Sequence, residues 1–154
     1  MYKYDLRLSE DRFPMLIRET EVPDISTSHS GADDVVKWAM ETLDMHRLTR
    51  EITICIAYDN KMKIIGYFDV SIGCVNGTIV SVREIMMRLL AMGAVKFIMI
   101  HNHPSGDPMP SLEDYNVKGK LKDAGQLMEI QLLDFIIIGN GNYYSAKETE
   151  TERR

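Results

Sequence analysis

Val95-Lys96-Phe97-Ile98-Met99-Ile100-His101-Asn102-His103-Pro104-Ser105-Gly106-Asp107-Pro108-Met109-Pro110-Ser111-Leu112-Glu113-Asp114 is the stretch that decides the fold. An apolar run ends in two histidines separated by one residue and then breaks into a loop punctuated by Pro104, Gly106, Pro108 and Pro110, so it reads as a buried strand running out into a loop. Side chains alternate along a strand, which puts His101 and His103 on one face at its C-terminal end. Pro104 holds His103 extended. Beyond the loop, Val117, Leu121, Ala124, Leu127 and Met128 recur at helical spacing, so Asp114 falls in the first turn of a helix that starts beside the imidazoles. Two nitrogens and one carboxylate then converge and leave a fourth position open, which is the donor set of a catalytic zinc. The competing reading makes Ser111 an N-cap with Asp114 at N3, leaves the histidines as loop residues and binds nothing.

The pattern His101-x-His103, seven residues, Ser111, two residues and Asp114 resembles the metal motif of the JAMM (MPN) metalloprotease superfamily. The string from His101 to Pro108, with Leu132-Leu133-Asp134 and Ile136-Ile137-Ile138-Gly139, is similar to its bacterial RadC branch. The letters His-Asn-His are a false cognate of HNH nucleases, which spread those residues over a much longer unit. The resemblance covers residues 33 to 148 and implies a zinc-dependent hydrolase cleaving an amide or isopeptide bond in a protein or peptide. A non-catalytic metal-site scaffold, or an accessory protein associated with DNA repair, is the alternative.

Such hydrolysis wants a general base that is not itself a ligand. Glu51, Glu84 and Glu113 are the candidates. Glu113 points about 100° away from Asp114 on the helix, and Glu84 is accounted for as the N3 residue of a capping box with Ser81. Glu51, at the mouth of a central strand, reads equally well as a solvated strand-end carboxylate. The resemblance assigns it the role of base, and assigns Ser111 that of a donor to the developing oxyanion. Asn102 faces away from the two ligands and is expected to brace the loop, with Ser105 and Asp107 supporting the ligands from behind.

At 154 residues, with 45% hydrophobic and 27% charged residues, the chain has the length and make-up of one globular domain. No apolar run is long enough to span a bilayer and the N-terminus lacks a signal-peptide core, so a cytoplasmic location is expected and no membrane association. Cys55 and Cys74 sit on separate expected strands without CxxC spacing and read as small buried hydrophobes. The eleven methionines read as core filler. A net charge of -5 argues against tight DNA binding. Lys118, Lys120 and Lys122 are two residues apart on a helix and make no single stripe. RadC proteins with a helix-hairpin-helix region carry it ahead of this domain, and the 32 residues before the first expected helix are too few to encode it.

Residues 1 to 32 are expected as an extension, with Tyr2 to Leu8 weakly alternating, a short strand over Met15 to Arg18, and a polar linker in which His29 is exposed. Ser30-x-x-Asp33 is expected to cap a helix with apolar positions Val35, Val36, Ala39, Met40 and Leu43 that ends before Arg50, with His46 near its end answering the helix dipole. Then come a hairpin of strands from Glu51 to Tyr58 and around Ile64 to Ile72, a helix capped by Ser81 and stopped by Gly93, and the metal stretch. A helix over 111 to 128, a strand from Ile130 to Ile138, a Gly139-Asn140-Gly141-Asn142 turn and a return strand to Lys147 follow. Residues 149 to 154 are expected to be a charged, flexible tail. The sum is an α+β (mixed α/β) domain, 33 to 148, with helices on both faces of a mixed, largely antiparallel sheet, in the layering of MPN and cytidine-deaminase domains.

Overall fold

A computed structural model describes residues 1–25, 31–72 and 81–152, with the side chains of 71 and 72 excepted. Its centre is a seven-stranded sheet in the order β2-β1-β4-β3-β5-β6-β7. The strands are β1 (Tyr2–Leu8), β2 (Pro14–Glu21), β3 (Ile52–Tyr58), β4 (Ile64–Ile72), β5 (Lys96–Asn102), β6 (Gln131–Ile138) and β7 (Tyr143–Ser145). Four helices cover it: α1 (Ala32–Leu43), α2 (Val82–Ala91), α3 (Leu112–Leu127) and α4 (Ala146–Glu152). Pairing is antiparallel except between β1 and β4 and between β5 and β6.

The period-two alternation of the central strands builds two cores. Ile54, Ile56, Tyr58, Ile98, Ile100, Ile136 and Ile138 face α1, where they meet Val35, Val36, Trp38 and Ala39. Cys55, Ala57, Phe97, Met99, Phe135 and Ile137 face the other way, against Ile85, Met86 and Leu89 of α2, Leu121 of α3 and Ala146 of α4. Each fully buried side chain of this kind contributes about 1.5–3 kcal/mol, so both faces of β3, β5 and β6 anchor the strands rigidly. His101 continues the parity of Phe97 and Met99, on the α3 side; Asn102 continues that of Ile98 and Ile100, on the α1 side.

The N-terminal extension is part of the sheet. β1 and β2 form a hairpin added to the β4 edge through Lys3 and Tyr67, and Lys3 bridges to Asp69 on β4 and Glu19 on β2. Gly66 makes that joint possible, because a Cβ there would lie 2.5 Å from the Tyr2 carbonyl oxygen and from the Tyr4 ring. The alternation over Tyr2 to Leu8 is a strand, and the short strand expected over Met15 to Arg18 runs longer, from Pro14 to Glu21, as an outer strand exposed along most of its length.

Several local expectations are corrected. The N-cap of α1 is Gly31 with no side-chain cap bond, one residue later than the Ser30 box required; Ser30, like His29 and Cys74, lies outside the described residues. The Ser81 box is half formed: Ser81 accepts from the Glu84 amide, but the Glu84 carboxylate is taken by Arg83 and Arg88. His46 sits in a 3-10 turn after α1, 3.9 Å from Asp44. Leu127 and Met128 do not join the core. They are 82% and 40% exposed, because α3 buries Leu121 and Gly125 instead. The last strand ends at Ser145, and the chain expected to be a loose tail is helical to Glu152. Buried Asp134 is the cause. It accepts from the Ser145 hydroxyl and the Lys147 amide while Ser145 Oγ accepts from the Glu148 amide, which satisfies the first turn of α4.

Candidate metal centre

The site lies where β5 ends, α3 begins and the start of β3 runs alongside. The β5–α3–β6 segment is a parallel crossover, whose ligand-binding end lies outside the carboxyl end of the strand. β3 runs antiparallel to β5 with Thr53 opposite His101. Carrying that register two residues further sets Glu51 opposite His103, on the face of the imidazoles.

His101, His103 and Asp114 bring one donor atom each within 4.8 Å of one another, and among the described residues they are the only such cluster. His101 Nε2 is 3.2 Å from Asp114 Oδ1, and His103 Nε2 is 3.5 Å from Asp114 Oδ2. Two donors held at the usual zinc distances of a tetrahedral ion are about 3.3 Å apart, which the His101–Asp114 pair matches, with the third donor inside the same 4.8 Å group. His101 is 6% exposed, and its Nε2 is buried without a hydrogen-bond partner despite the nearby carboxylate, which lies off the hydrogen-bonding direction. A buried, unsatisfied ring nitrogen is costly unless something not made of protein meets it. Its ring is held edge-on to His103 and Phe135, with centroids 4.8 Å and 5.5 Å away.

The loop sets the orientation of the other two donors. His103 Nδ1 lies 2.8 Å from the Asp107 carbonyl oxygen, to which it can only donate, so the proton is on Nδ1 and Nε2 is left as the donor to a metal. Asp107 thus supports the ligand through its main chain; its carboxylate accepts from the Met109 amide. Ser105 Oγ accepts from the Asp107 amide and reaches no ligand. Gly106, at φ +83°, closes the turn by donating to the His103 carbonyl, and its own carbonyl accepts from Asn140. Ser111 completes the capping box. Its amide and hydroxyl both donate to Asp114 Oδ2 at 2.7 Å while Oγ accepts from the Asp114 amide, which leaves Oδ1 facing His101. Capping and ligation, competing readings of the sequence, are compatible in space because a carboxylate has two oxygens.

Electrostatics separate the two histidines. Burial pushes the His101 pKa down to about 4, against the pull of Asp114, and keeps it neutral with a free lone pair. His103 is raised by its hydrogen bond to Asp114, with smaller contributions from the Asp107 carbonyl and the Glu51 charge, which outweigh its burial. Burial raises Asp114, but the hydrogen bond from His103, the charge of His101 and the bonds from Ser111 prevail and bring it to about 2. Metal must displace protons from its ligands, so His103 is the first competitor as pH falls. Zinc affinity in a chelator-competition titration is expected to fall roughly tenfold per pH unit below the His103 pKa, more steeply once His101 also protonates near pH 4. An affinity flat between about pH 8 and about pH 5 would remove His103 from the ligand set.

Of the three glutamates, Glu51 is half-buried and within electrostatic reach of His103. Glu84 is engaged by Arg83 and Arg88, and Arg88 also reaches Asp5 on β1; Glu113 is exposed. Asn102 does not brace its own loop. Its Oδ1 accepts from the Ile52 amide at 2.8 Å and its Nδ2 donates to the Arg50 carbonyl at 3.1 Å. Neither bond is visible in the sequence, since the partners are about fifty residues away.

Residues 29–151 match the model of the RadC-like JAB domain. The chain is 45% identical over 105 residues to a UPF0758 protein of Bacillus licheniformis, covering 68% of this chain and 47% of that one. It is 42% identical over 118 residues to one of Alkaliphilus oremlandii, covering 77% and 50%, and 40% identical over 124 residues to one of Bacillus pumilus, covering 80% and 53%. It spans about half the length of the curated relatives it matches. The loop from His101 to Asp114, the sheet that carries it and these matches agree: the chain belongs to the RadC-like JAB domain family, a branch of the JAMM/MPN superfamily.

Proposed function

We propose that this domain is a zinc-dependent hydrolase that cleaves an amide or isopeptide bond, with His101, His103 and Asp114 holding the ion. The observation that carries the reading is the buried, unpartnered Nε2 of His101 set 3.2 Å from Asp114 Oδ1 beside a second imidazole of defined tautomer. A zinc ion bound there supplies a Lewis acid and lowers the pKa of a bound water to about 7.

The chain's own groups do the rest. The Glu51 carboxylate takes a proton from the attacking water and passes it to the departing amine. The Ser111 hydroxyl hydrogen turns from Asp114 Oδ2 toward the oxyanion of the substrate, while the Ser111 amide keeps its bond to that carboxylate. Phe135 and the buried ends of β5 and β6 wall the histidines from bulk water on the sheet side.

The substrate is proposed to be a protein or peptide, acted on in the cytoplasm. Among the described residues no helix is long and apolar enough to cross a membrane. No tight DNA binding by this chain alone is proposed: Lys118 is paired with Glu150 and lies over the Tyr115 ring, and Lys118, Lys120 and Lys122, two residues apart on α3, form no single stripe. The test is incubation of the zinc-loaded and chelator-stripped protein with a panel of peptides and lysine-linked isopeptides. Cleavage that needs zinc supports the reading; zinc bound at one equivalent with no cleavage across the panel favours a non-catalytic scaffold.

A further inference from the structure

The β3–β5 ladder stops at Thr53 and His101, although its register would carry it on to Glu51 and His103. Beyond that point the β5 main chain is committed elsewhere. The His103 amide donates to Ile138 of β6, and the His103 carbonyl accepts from Gly106. The next position of the chain on the β3 side is Pro104, which has no N–H to offer, so the start of β3 loses its partner strand just where it presents Glu51. Asn102, 1% exposed, takes over that pairing with its side-chain amide, accepting from the residue after Glu51 and donating to the residue before it. A carboxamide has the donor and acceptor of a peptide group, so it extends the ladder by one rung without any main chain.

We propose that Asn102 is a positioning residue that fixes the direction in which Glu51 faces the two imidazoles. This rests on the reading of Glu51 as the base. With Arg50 and Ile52 both tied to one side chain, the Glu51 Cα is held from either side, and the holder sits between the two histidines in sequence. The placing of the base relative to the metal ligands is thus set within three residues, His101 to His103, at the end of β5. A misplacement of about 1 Å can cost about a hundredfold in rate, so the clamp acts on chemistry and not only on stability.

Cobalt(II) is the probe, because its visible absorption bands respond to the donors and charges around the ion. Wild type, Glu51→Gln, Asn102→Ala and the double variant are each titrated with cobalt(II). All four are expected to bind one equivalent. Glu51→Gln and Asn102→Ala are expected to shift the bands, and the double variant to superimpose on Glu51→Gln, since a clamp with no carboxylate to aim has no further effect. Hydrogen exchange of the Ile52 amide is expected to accelerate in Asn102→Ala and not in Glu51→Gln. Asn102→Ser, which keeps a hydroxyl set back by about one bond from the amide atoms, is the second variant if alanine does not fold, and is expected to show a shift of the same kind.

An Asn102→Ala spectrum identical to wild type, with Glu51→Gln shifted, overturns the clamp and leaves the base standing. Shifts that add in the double variant overturn it too, because Asn102 would then act independently of Glu51. An unshifted Glu51→Gln spectrum removes the base and the clamp together.

Discussion

The His101→Ala/His103→Ala protein is expected to retain no stoichiometric zinc, against one ion per chain in the wild type. Each substitution deletes one of three donors that lie within 4.8 Å of one another, and Asp114 alone is a half-buried carboxylate held by Ser111. Elemental analysis after dialysis against sub-stoichiometric chelator checks it. Equal zinc in the two proteins would show that the ion, if any, is held elsewhere.

The fold has to survive for the result to mean anything. His101 packs against Phe135, and its truncation leaves a void costing roughly 1–3 kcal/mol, on the scale of other buried large-to-small changes. His103 is less buried, so the single variant His103→Ala is the cleaner probe: zinc lost, with thermal unfolding close to that of the chelator-stripped wild type.

Glu51→Gln is expected to keep zinc and fold while losing at least about a hundredfold of any zinc-dependent cleavage, the lower end of what a general base contributes. Glutamine keeps the shape of the side chain and removes its proton affinity. The bonds that fix this segment, from Asn102 to Arg50 and Ile52, use main-chain atoms and are indifferent to the substitution. Glu51 also lies outside the donor cluster, so one equivalent of metal is expected to stay bound without it. Steady-state rates on whichever substrate the wild type cleaves, with zinc content measured on the same samples, decide it. Unchanged turnover would move the role to Glu84 or Glu113 or to no residue, and Glu84 is already spent on Arg83 and Arg88.

The metal stretch was legible because its chemistry is local. A strand of period two ending in His-x-His, a proline-punctuated loop and a helix start fall within twenty consecutive residues, and each signal is a short-range preference. The same is true of the Gly93 stop after α2, where Gly93 takes φ +67° and the Gly93 and Ala94 amides return to Leu90 and Leu89. The errors have one origin. Ser30 offered the right letter for a cap, but α1 starts one residue later, where its apolar face meets the sheet, and Ser81 does cap α2 while Glu84 turns to Arg83 and Arg88. The last helix looked like a solvated tail because its anchor, Asp134, is on a different strand.

From its residues in order, then, the chain determined its central strands and the three helices between them, the alternation that splits its core into two faces, and the convergence of His101, His103 and Asp114, since all of these depend on spacings of a few residues. Tertiary structure alone decided what surrounds that trio. Antiparallel pairing of β3 with β5 brings Glu51 to His103 and puts Arg50 and Ile52 within reach of Asn102, and the sheet seals His101 Nε2 from water. Those relations join residues about fifty positions apart, where strand pairing and burial set distance and chain spacing carries no information about it.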